Sequence, residues 1–203
     1  MNDSKEHIVL VASKLFLQKS FKEVTMSELV KATGLSKGAF YHYFVSKEQL
    51  FMEVLDFFFT SVMTHRYEKY SRESFYQFYH DYANEIYEYG KKYLDRFELD
   101  ENDCDLSQNY FTLAFDALKL FPEFKEKMIA GLKLELDIWT EVIKNAREKG
   151  EIQCLMTDEQ IARTFINLSD GIAMHMVIKG STIMEMVPPF MELWDKLYEM
   201  MKA

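Results

Sequence analysis

Apolar side chains recur at three- and four-residue steps along most of this 203-residue chain, beginning with Ile8, Ala12, Leu15 and Phe16. That spacing places them on one face of a helix. The chain also has only 7 Gly and 3 Pro, the residues that most often interrupt helices. We find no convincing strand pattern and no internal repeat. The sequence therefore predicts an all-α fold of about nine helices.

Capping and stop signals divide this pattern into segments. Two capping boxes, Thr25 to Glu28 and Ser46 to Gln49, predict helix starts near the amino terminus, and a third, Thr157 to Gln160, predicts one near the carboxyl terminus. Gly34 can end a helix in the left-handed conformation. The predicted helices span about 4–19, a short stretch from 25, 36–44, 47–68, 72–97, 122–150, a stretch from 157, and a last one after Pro188 and Pro189; the acidic stretch 98–105 is predicted to be a loop.

Charge is distributed unevenly. The formal net charge is −9, yet residues 1–50 carry seven Lys and five acidic side chains, a charge of +2, which leaves −11 on the remainder. A slightly basic amino-terminal segment followed by an acidic remainder suggests that the chain has two separate functions. Cys104 and Cys154 are too few for a disulfide framework. No apolar run suits a signal peptide or a membrane span, so we expect a cytoplasmic protein without a membrane partner.

A helix, a short helix, a Gly-containing turn and another short helix form the helix-turn-helix plan, in which the second short helix enters the major groove of DNA. The segment also contains a specific set of residues: Ile8, Ala12, Leu15, Phe16, Phe21, Val24, Thr25, Leu29, Thr33-Gly34-Leu35-Ser36-Lys37-Gly38, Phe40-Tyr41-His42-Tyr43-Phe44, Lys47, Glu48 and Leu50. With these residues it closely resembles the DNA-binding domain of TetR-family transcriptional regulators over about residues 5–55. Ser20 and Thr33 depart from the family pattern, which usually has Gly and often Ala there.

The amino end of the second short helix is the first candidate for DNA contact, because free amides and the helix dipole attract phosphate. Ser36, Lys37 and Gly38 occupy it, and Lys37 can also reach the guanine edge. The resemblance adds Tyr41, His42 and Tyr43 on the same helix, and Thr25 and Lys47 at two other helix starts. Phe40 and Phe44, four residues apart, are predicted to be core.

The resemblance implies a three-helix helix-turn-helix domain at residues 1–50, a connecting fourth helix, and a larger helical ligand-binding and dimerisation domain at 51–203. It implies a homodimer, formed through the last two helices, that binds double-stranded palindromic operator DNA as a repressor and is released by a small molecule. No cofactor is expected, and the effector is unknown.

Residues 51–203 are rich in aromatic side chains, which suggests a pocket for a small apolar or aromatic effector. A large aromatic core explains the same residues. Asn167 and His175 are polar within an apolar helix and could face a cavity, or could make core hydrogen bonds. The candidate pocket residues are Phe75, Tyr79, Tyr82, Tyr93, Tyr110, Phe111, Phe115, Trp139, Asn167 and His175.

The last two helices carry apolar stripes wide enough to pack both against the chain's own helices and against a partner chain. Gly171 and Ala173 would allow close approach of a partner backbone. We therefore expect these helices to form the four-helix dimer interface of the family. The candidate interface residues are Phe165, Leu168, Ile172, Phe190, Leu193, Trp194 and Leu197.

Other functional classes find little support. The chain has no nucleophile elbow, P-loop or zinc-protease motif, so neither catalytic residues nor enzyme activity is expected. His65 and His80 are poorly spaced for a metal, and the acidic run 100–105 lacks the Gly and Glu of a calcium loop. The remaining alternative is an all-α small-molecule or protein-binding adaptor that does not bind DNA, which would have no reason to keep Ser36, Lys37, Gly38 and Tyr41.

Overall fold

A computed structural model describes residues 3–57, 67–97, 104–182 and 185–203. Within these ranges the chain forms nine α-helices, a 3₁₀ turn at Tyr67–Lys69, and no strand, which confirms the all-α prediction. The helices are α1 (Asp3–Gln18), α2 (Met26–Thr33), α3 (Lys37–Tyr43), α4 (Lys47–Leu55), α5 (Phe75–Phe97), α6 (Cys104–Leu120), α7 (Pro122–Glu148), α8 (Asp158–Ile178) and α9 (Val187–Met201).

The chain divides into two compact units. The first comprises Met1–Val62 with Gln108–Met128, and the second comprises Met63–Ser107 with Ile129–Ala203. Most of α6 and the first turns of α7 therefore belong with the helix-turn-helix segment. The expected division at residue 50 concerns function, and it stays a prediction. None of the described helices is long and apolar enough to cross a membrane.

Two of the three capping boxes are complete. The Thr25 hydroxyl accepts the Glu28 amide while the Glu28 carboxylate accepts the Thr25 amide, and Thr157 and Gln160 repeat this exchange at the start of α8. At α4, Ser46 accepts the Gln49 amide as predicted, but Gln49 reaches back to the amide of Val45 instead of Ser46. The Ser46 box is therefore only half formed.

Two predicted boundaries shift, and a third lies partly outside the described residues. Helix α6 begins at Cys104, so the last two residues of the predicted 98–105 loop are helical and the rest lie outside the described residues. Helix α9 begins at Val187, which places Pro188 and Pro189 inside its first turn, where the missing amides have no helical partner to lose. The long fourth helix is described as α only to Leu55, and His65 falls outside the described ranges.

An aromatic cluster forms part of the core of the first unit. Phe21 packs against Phe51, with ring centroids 4.6 Å apart, and against Phe121 at 5.4 Å; Phe16 meets Phe51 edge to face at 4.8 Å. Phe16 and Phe51 are almost completely buried. This packing joins α1, the turn that follows it, α4 and the α6–α7 junction in one aromatic cluster.

A second aromatic core lies among α5, α7, α8 and α9. Trp139 and Trp194 are fully buried, with ring centroids 5.3 Å apart, and both contact Phe165. The Trp194 indole donates to the Phe165 carbonyl oxygen at 2.9 Å, which satisfies its polar group inside the core. These three rings therefore hold α7, α8 and α9 together.

Glu151, just after α7, caps the start of α5. Its carboxylate accepts the amides of Phe75 and Tyr76, the Ser74 hydroxyl and the Tyr198 hydroxyl, at 2.9–3.1 Å. Partial burial alone would raise the pKa of this carboxyl, but the four donors outweigh burial and lower it. One side chain therefore joins the start of α5 to α9.

Candidate nucleic-acid interface

The turn between α2 and α3 is built from two local signals. Gly34 ends α2 with φ at +68°, the left-handed region that favours glycine, and its amide bonds the Lys31 carbonyl oxygen. Ser36 then caps α3 by accepting the Ala39 amide at 3.2 Å. These bonds fix the direction in which the seven-residue helix α3 leaves the turn.

The two departures from the expected family pattern both make hydrogen bonds that support this scaffold. The amide and hydroxyl of Ser20 donate to the Glu23 carboxylate, which closes the turn before α2. Thr33 is buried, and its hydroxyl donates to the Val30 carbonyl oxygen. Both substitutions therefore have a local structural reason.

Helix α3 has one buried and one exposed side. Phe40 and Phe44 are completely buried, as predicted, and anchor α3 to the domain. Tyr41 lies partly exposed, with the Lys37 ammonium 5.8 Å from its ring centroid. The helix thus presents polar and aromatic groups outward from an apolar base: Ser36, Lys37, Gly38 and His42 are exposed and Tyr43 is half-buried.

Gly38 lies on the outer face of α3 without a positive φ. A Cβ added there would meet no atom within 4 Å. The fold of this domain therefore does not require glycine at this position. The missing side chain leaves space that an approaching molecule could occupy.

Thr25 opens α2 on the exposed surface, but its hydroxyl already serves the capping box. Glu28, its partner in the box, also accepts the Lys19 ammonium at 2.8 Å. That hydrogen bond, with those from the Thr25 amide and hydroxyl, lowers the pKa of Glu28 to about 2. The polar atoms of Thr25 are therefore engaged within the domain.

Lys47 also has internal partners. Its ammonium donates to the carbonyl oxygens of Phe21 and Val24 at 2.7 and 2.8 Å. These two bonds tie the start of α4 to the turn before α2. Sequence reasoning assigned Lys47 to phosphate contact; the structure uses two of its three N–H groups to hold the domain together.

The predicted pocket residues do not come together as one set. Phe75, Tyr79 and Trp139 are fully buried in the second core, where the Tyr79 hydroxyl donates to Asp195. The half-buried Tyr82 packs beside Trp139, and the side chain of Tyr93 lies outside the described residues. Tyr110, Phe111 and Phe115 belong to the first unit, and Phe115 is exposed.

The structure does not place Asn167 and His175 in a pocket within the aromatic core. Both side chains are exposed on α8, so neither points into the aromatic core. Their eight-residue spacing does put them on a similar side of the helix, but that side faces outward. An open groove of about 350 Å³ does exist between α7 and α8, and none of the predicted residues lines it; its walls are Lys133, Leu136, Asp137, Thr140, Glu159 and Arg163.

The interface prediction is corrected for three of its residues. Phe165, Phe190 and Trp194 are at most 3% exposed because they pack inside the core of their own unit. Leu168, Ile172 and Leu197 are half-buried, and Leu193 is 45% exposed. The outer faces of α8 and α9 also expose Met174, Ile178 and Met200, which the sequence pattern did not single out.

Sequence reasoning also missed Tyr67 and Glu135. Their side chains meet beside Tyr82, with the Glu135 carboxylate accepting both tyrosine hydroxyls at 2.9 Å. The available signal was the position of Glu135, one helical turn before Trp139 on α7. Among the described residues, no three His, Cys, Asp or Glu side chains are arranged to hold a metal ion.

The helix-turn-helix segment is similar to a known family of proteins. Residues 8–54 match the model of the amino-terminal domain of bacterial regulatory proteins, tetR family. The HTH-type transcriptional repressor NemR of Escherichia coli is 40% identical over 55 residues, which are 27% of this chain and 28% of NemR. An uncharacterised HTH-type transcriptional regulator of Bacillus subtilis, YfiR, is 24% identical over 84% of this chain and 78% of its own length.

Solved structures share the fold over the full chain. The reduced form of E. coli NemR superposes with a TM-score of 0.63 at 20% identity, covering 98% of both chains. A TetR transcription regulator from Haloarcula marismortui reaches 0.72 at 13% identity, covering all of both chains.

The match to this chain spans only 20–28% of the length of the curated sequences matched first. Residues 8–54, which match the domain model, contain α2, the Gly34 turn and α3. The matching domain model identifies residues 8–54 as an amino-terminal domain of the tetR family of bacterial regulatory proteins, and the full chain shares the fold of solved TetR regulators.

Proposed function

We propose that the protein is a DNA-binding transcriptional regulator that acts as a homodimer and responds to a small molecule. The observation that carries this proposal is α3, which exposes Ser36, Lys37, Gly38 and His42 above the buried Phe40 and Phe44. A rigid helix with a polar outer face and a bare backbone at its first turn suits the major groove and its flanking phosphates.

DNA contact is divided among these residues by their partners. Lys37 makes base or phosphate contacts, the amides at the start of α3 bind phosphate, and Tyr41, His42 and Tyr43 extend the contact along the helix. Thr25 and Lys47 act mainly by holding the domain in shape, because their polar side-chain atoms already have internal partners.

Two copies are needed because one two-turn recognition helix buries little surface on DNA. A dimer with half-sites one helical turn apart, about 34–36 Å, reaches successive major grooves of a palindromic site. We assign the dimer surface to the outer faces of α8 and α9, where Leu168, Ile172, Leu193 and Leu197 retain exposed apolar area. Gly171 supports this assignment, because a Cβ there would meet no atom within 4 Å.

Repression with release by an effector is the mode of action we infer. NemR is named a transcriptional repressor, and the fold neighbour SmeT was solved as a complex with triclosan. In this chain the effector acts only if its affinity differs between the DNA-binding and non-binding conformations.

Selection of bound sequences from random duplex DNA with the purified protein tests this proposal. We expect a palindromic consensus whose binding weakens steeply as salt rises, because phosphate contacts release counterions. Enrichment of no sequence at low salt, from a protein shown by mass spectrometry to carry no ligand, would exclude operator binding.

A further inference from the structure

The turn between α2 and α3 has little apolar packing of its own. Leu29 and Phe40 are completely buried, and Thr33 is the only buried residue between them. Gly34 is exposed, and its left-handed backbone carries no side chain that could anchor the turn. Beyond the anchoring of α3 by Phe40, the direction of this short helix therefore depends on hydrogen bonds around the turn. The partners of Thr33 matter most among these.

Thr33 is held by hydrogen bonds on three sides. Its hydroxyl donates to the Val30 carbonyl oxygen at 2.9 Å and accepts the Leu35 amide at 3.4 Å. Its own carbonyl oxygen lies 2.9 Å from Nε2 of His7, on α1. Thr33 thus joins the end of α2, the residue that precedes the Ser36 cap of α3, and a separate helix.

His7 is an exposed side chain on a helix that is itself held in place. The next residue, Ile8, is completely buried, and the Lys5 ammonium pairs with the Glu53 carboxylate of α4 at 2.7 Å. These contacts fix the first turns of α1 against the domain. Because a carbonyl oxygen only accepts, the His7 ring carries its proton on Nε2 and donates it to Thr33.

The His7 bond also completes the end of α2. The last carbonyl oxygens of a helix have no amide partner within it, and a basic side chain from elsewhere can satisfy them. Thr33 is the last residue of α2, and His7 supplies this donor from 26 positions earlier in the sequence. Water can also satisfy an exposed carbonyl oxygen, but only a side chain anchored on α1 sets the distance between α1 and the turn.

We propose that His7 and Thr33 are positioning residues that direct α3 for base recognition. The His7–Thr33 bond restrains the Gly34 turn, and the direction of α3 decides whether Lys37 and Tyr41 reach their contacts together. The role in DNA binding rests on the proposed function. The restraint on the turn does not depend on DNA.

Hydrogen exchange of the free, full-length protein tests the restraint. His7→Leu removes the donor, and we expect the Gly34 and Leu35 amides to exchange about three- to tenfold faster, as the loss of one hydrogen bond implies. His7→Gln keeps an N–H at similar reach and should restore slow exchange. Gln18→Leu, an exposed residue at the other end of α1, is the matched control and should not alter the turn. Equal exchange in the wild type and His7→Leu would overturn the proposal.

Binding selectivity tests the positioning role. The measured quantity is the ratio of the affinities for the selected operator and for a scrambled duplex of the same length, at one salt concentration. Phosphate contacts contribute to both affinities, whereas base contacts contribute only to the first. We expect His7→Leu and Thr33→Val to lower this ratio about three- to tenfold without changing the circular dichroism of the protein, and His7→Gln to restore it.

A purely structural role gives a different result. If the variants only reduced the folded fraction, both affinities would fall by the same factor and their ratio would stay constant. An unchanged ratio in His7→Leu and Thr33→Val would therefore overturn the positioning role.

The two measurements separate this inference from the proposed function. A protein that selects no operator loses the regulatory role, and exchange at Gly34 and Leu35 then still decides whether His7 restrains the turn. A protein that selects an operator, while its His7→Leu variant exchanges like the wild type, keeps the regulatory role and loses this inference.

Discussion

The Lys47 ammonium lies 2.7 Å from the Phe21 carbonyl oxygen and 4.3 Å from the centroid of the Phe21 ring. One side chain thus satisfies a turn carbonyl and covers a core aromatic at the same time. The contact joins the start of α4 to the turn before α2. These two elements flank the helix-turn-helix formed by α2 and α3.

Replacing Lys47 by Met removes the charge and keeps most of the aliphatic stem. We expect the free energy of unfolding to fall by about 1–2 kcal/mol, because the Phe21 and Val24 carbonyl oxygens lose their donor. Urea unfolding followed by circular dichroism measures the change. Lys22→Met, an exposed lysine in the same turn, is the control for the loss of charge. Unchanged stability together with weaker DNA binding would instead assign Lys47 to phosphate contact.

Lys37→Ala and Tyr41→Ala should weaken operator binding without unfolding the domain, because both side chains extend from α3 away from Phe40 and Phe44. If Lys37 contacts a base, we expect Lys37→Ala to weaken the binding free energy by about 1–3 kcal/mol. If Lys37 binds phosphate, we expect the slope of log affinity against log salt concentration to fall by about one. Fluorescence anisotropy on the selected operator at several salt concentrations distinguishes these cases. Lys144→Ala, on the exposed surface of α7, serves as the control.

Glu151→Gln tests the cap on α5. At pH 7 we expect the variant to be less stable by about 1 kcal/mol, since a neutral amide serves the four donors less well than a carboxylate. The hydrogen bonds lower the pKa of Glu151 in the folded state, so its contribution is present above the unfolded-state pKa of about 4.3 and is lost as pH falls through the folded-state pKa. Thermal unfolding across pH should therefore show the wild-type advantage shrinking in acid. A difference that stays constant from pH 7 to pH 3 would contradict this account.

Leu193→Glu tests the proposed dimer surface. Leu193 lies on α9 and is 45% exposed, so a carboxylate is tolerated in the monomer but is costly in an apolar interface. We expect light scattering to show a shift from dimer to monomer and operator affinity to fall at least tenfold, since each half-site would then be bound alone. Leu155→Glu, in the exposed turn after α7, should leave both properties unchanged. A dimeric Leu193→Glu protein would move the interface elsewhere.

Local signals in the sequence predicted local structure well. Thr25, Ser36 and Thr157 cap helices as expected, because a cap depends on residues only three positions apart. The Ser46 box failed in part because a Gln side chain is long enough to reach the amide of Val45 as well as that of Ser46. Such a choice depends on the direction of the entering chain, which residue spacing alone does not define.

Partners distant in sequence could not be predicted in the same way. An apolar stripe shows that Phe165 and Trp194 are buried, but not whether they are buried against their own helices or against a second copy. Likewise, nothing near Lys47 indicates that its ammonium bonds residues more than twenty positions earlier. Glu135 was missed because an acidic residue on a helix is usually solvated, and only the fold places Tyr67 and Tyr82 beside it.

Gly34 and Gly38 are four residues apart, and they are glycines for different reasons. The left-handed turn at Gly34 is a requirement of the chain itself, whereas the backbone at Gly38 would accept a methyl group without contact. The one carbon that alanine would add at position 38 contacts no atom of the free protein, so it clashes only with a surface that comes within van der Waals distance of α3. In the proposed complex, the effect of alanine at position 38 on binding therefore reports how closely DNA approaches α3.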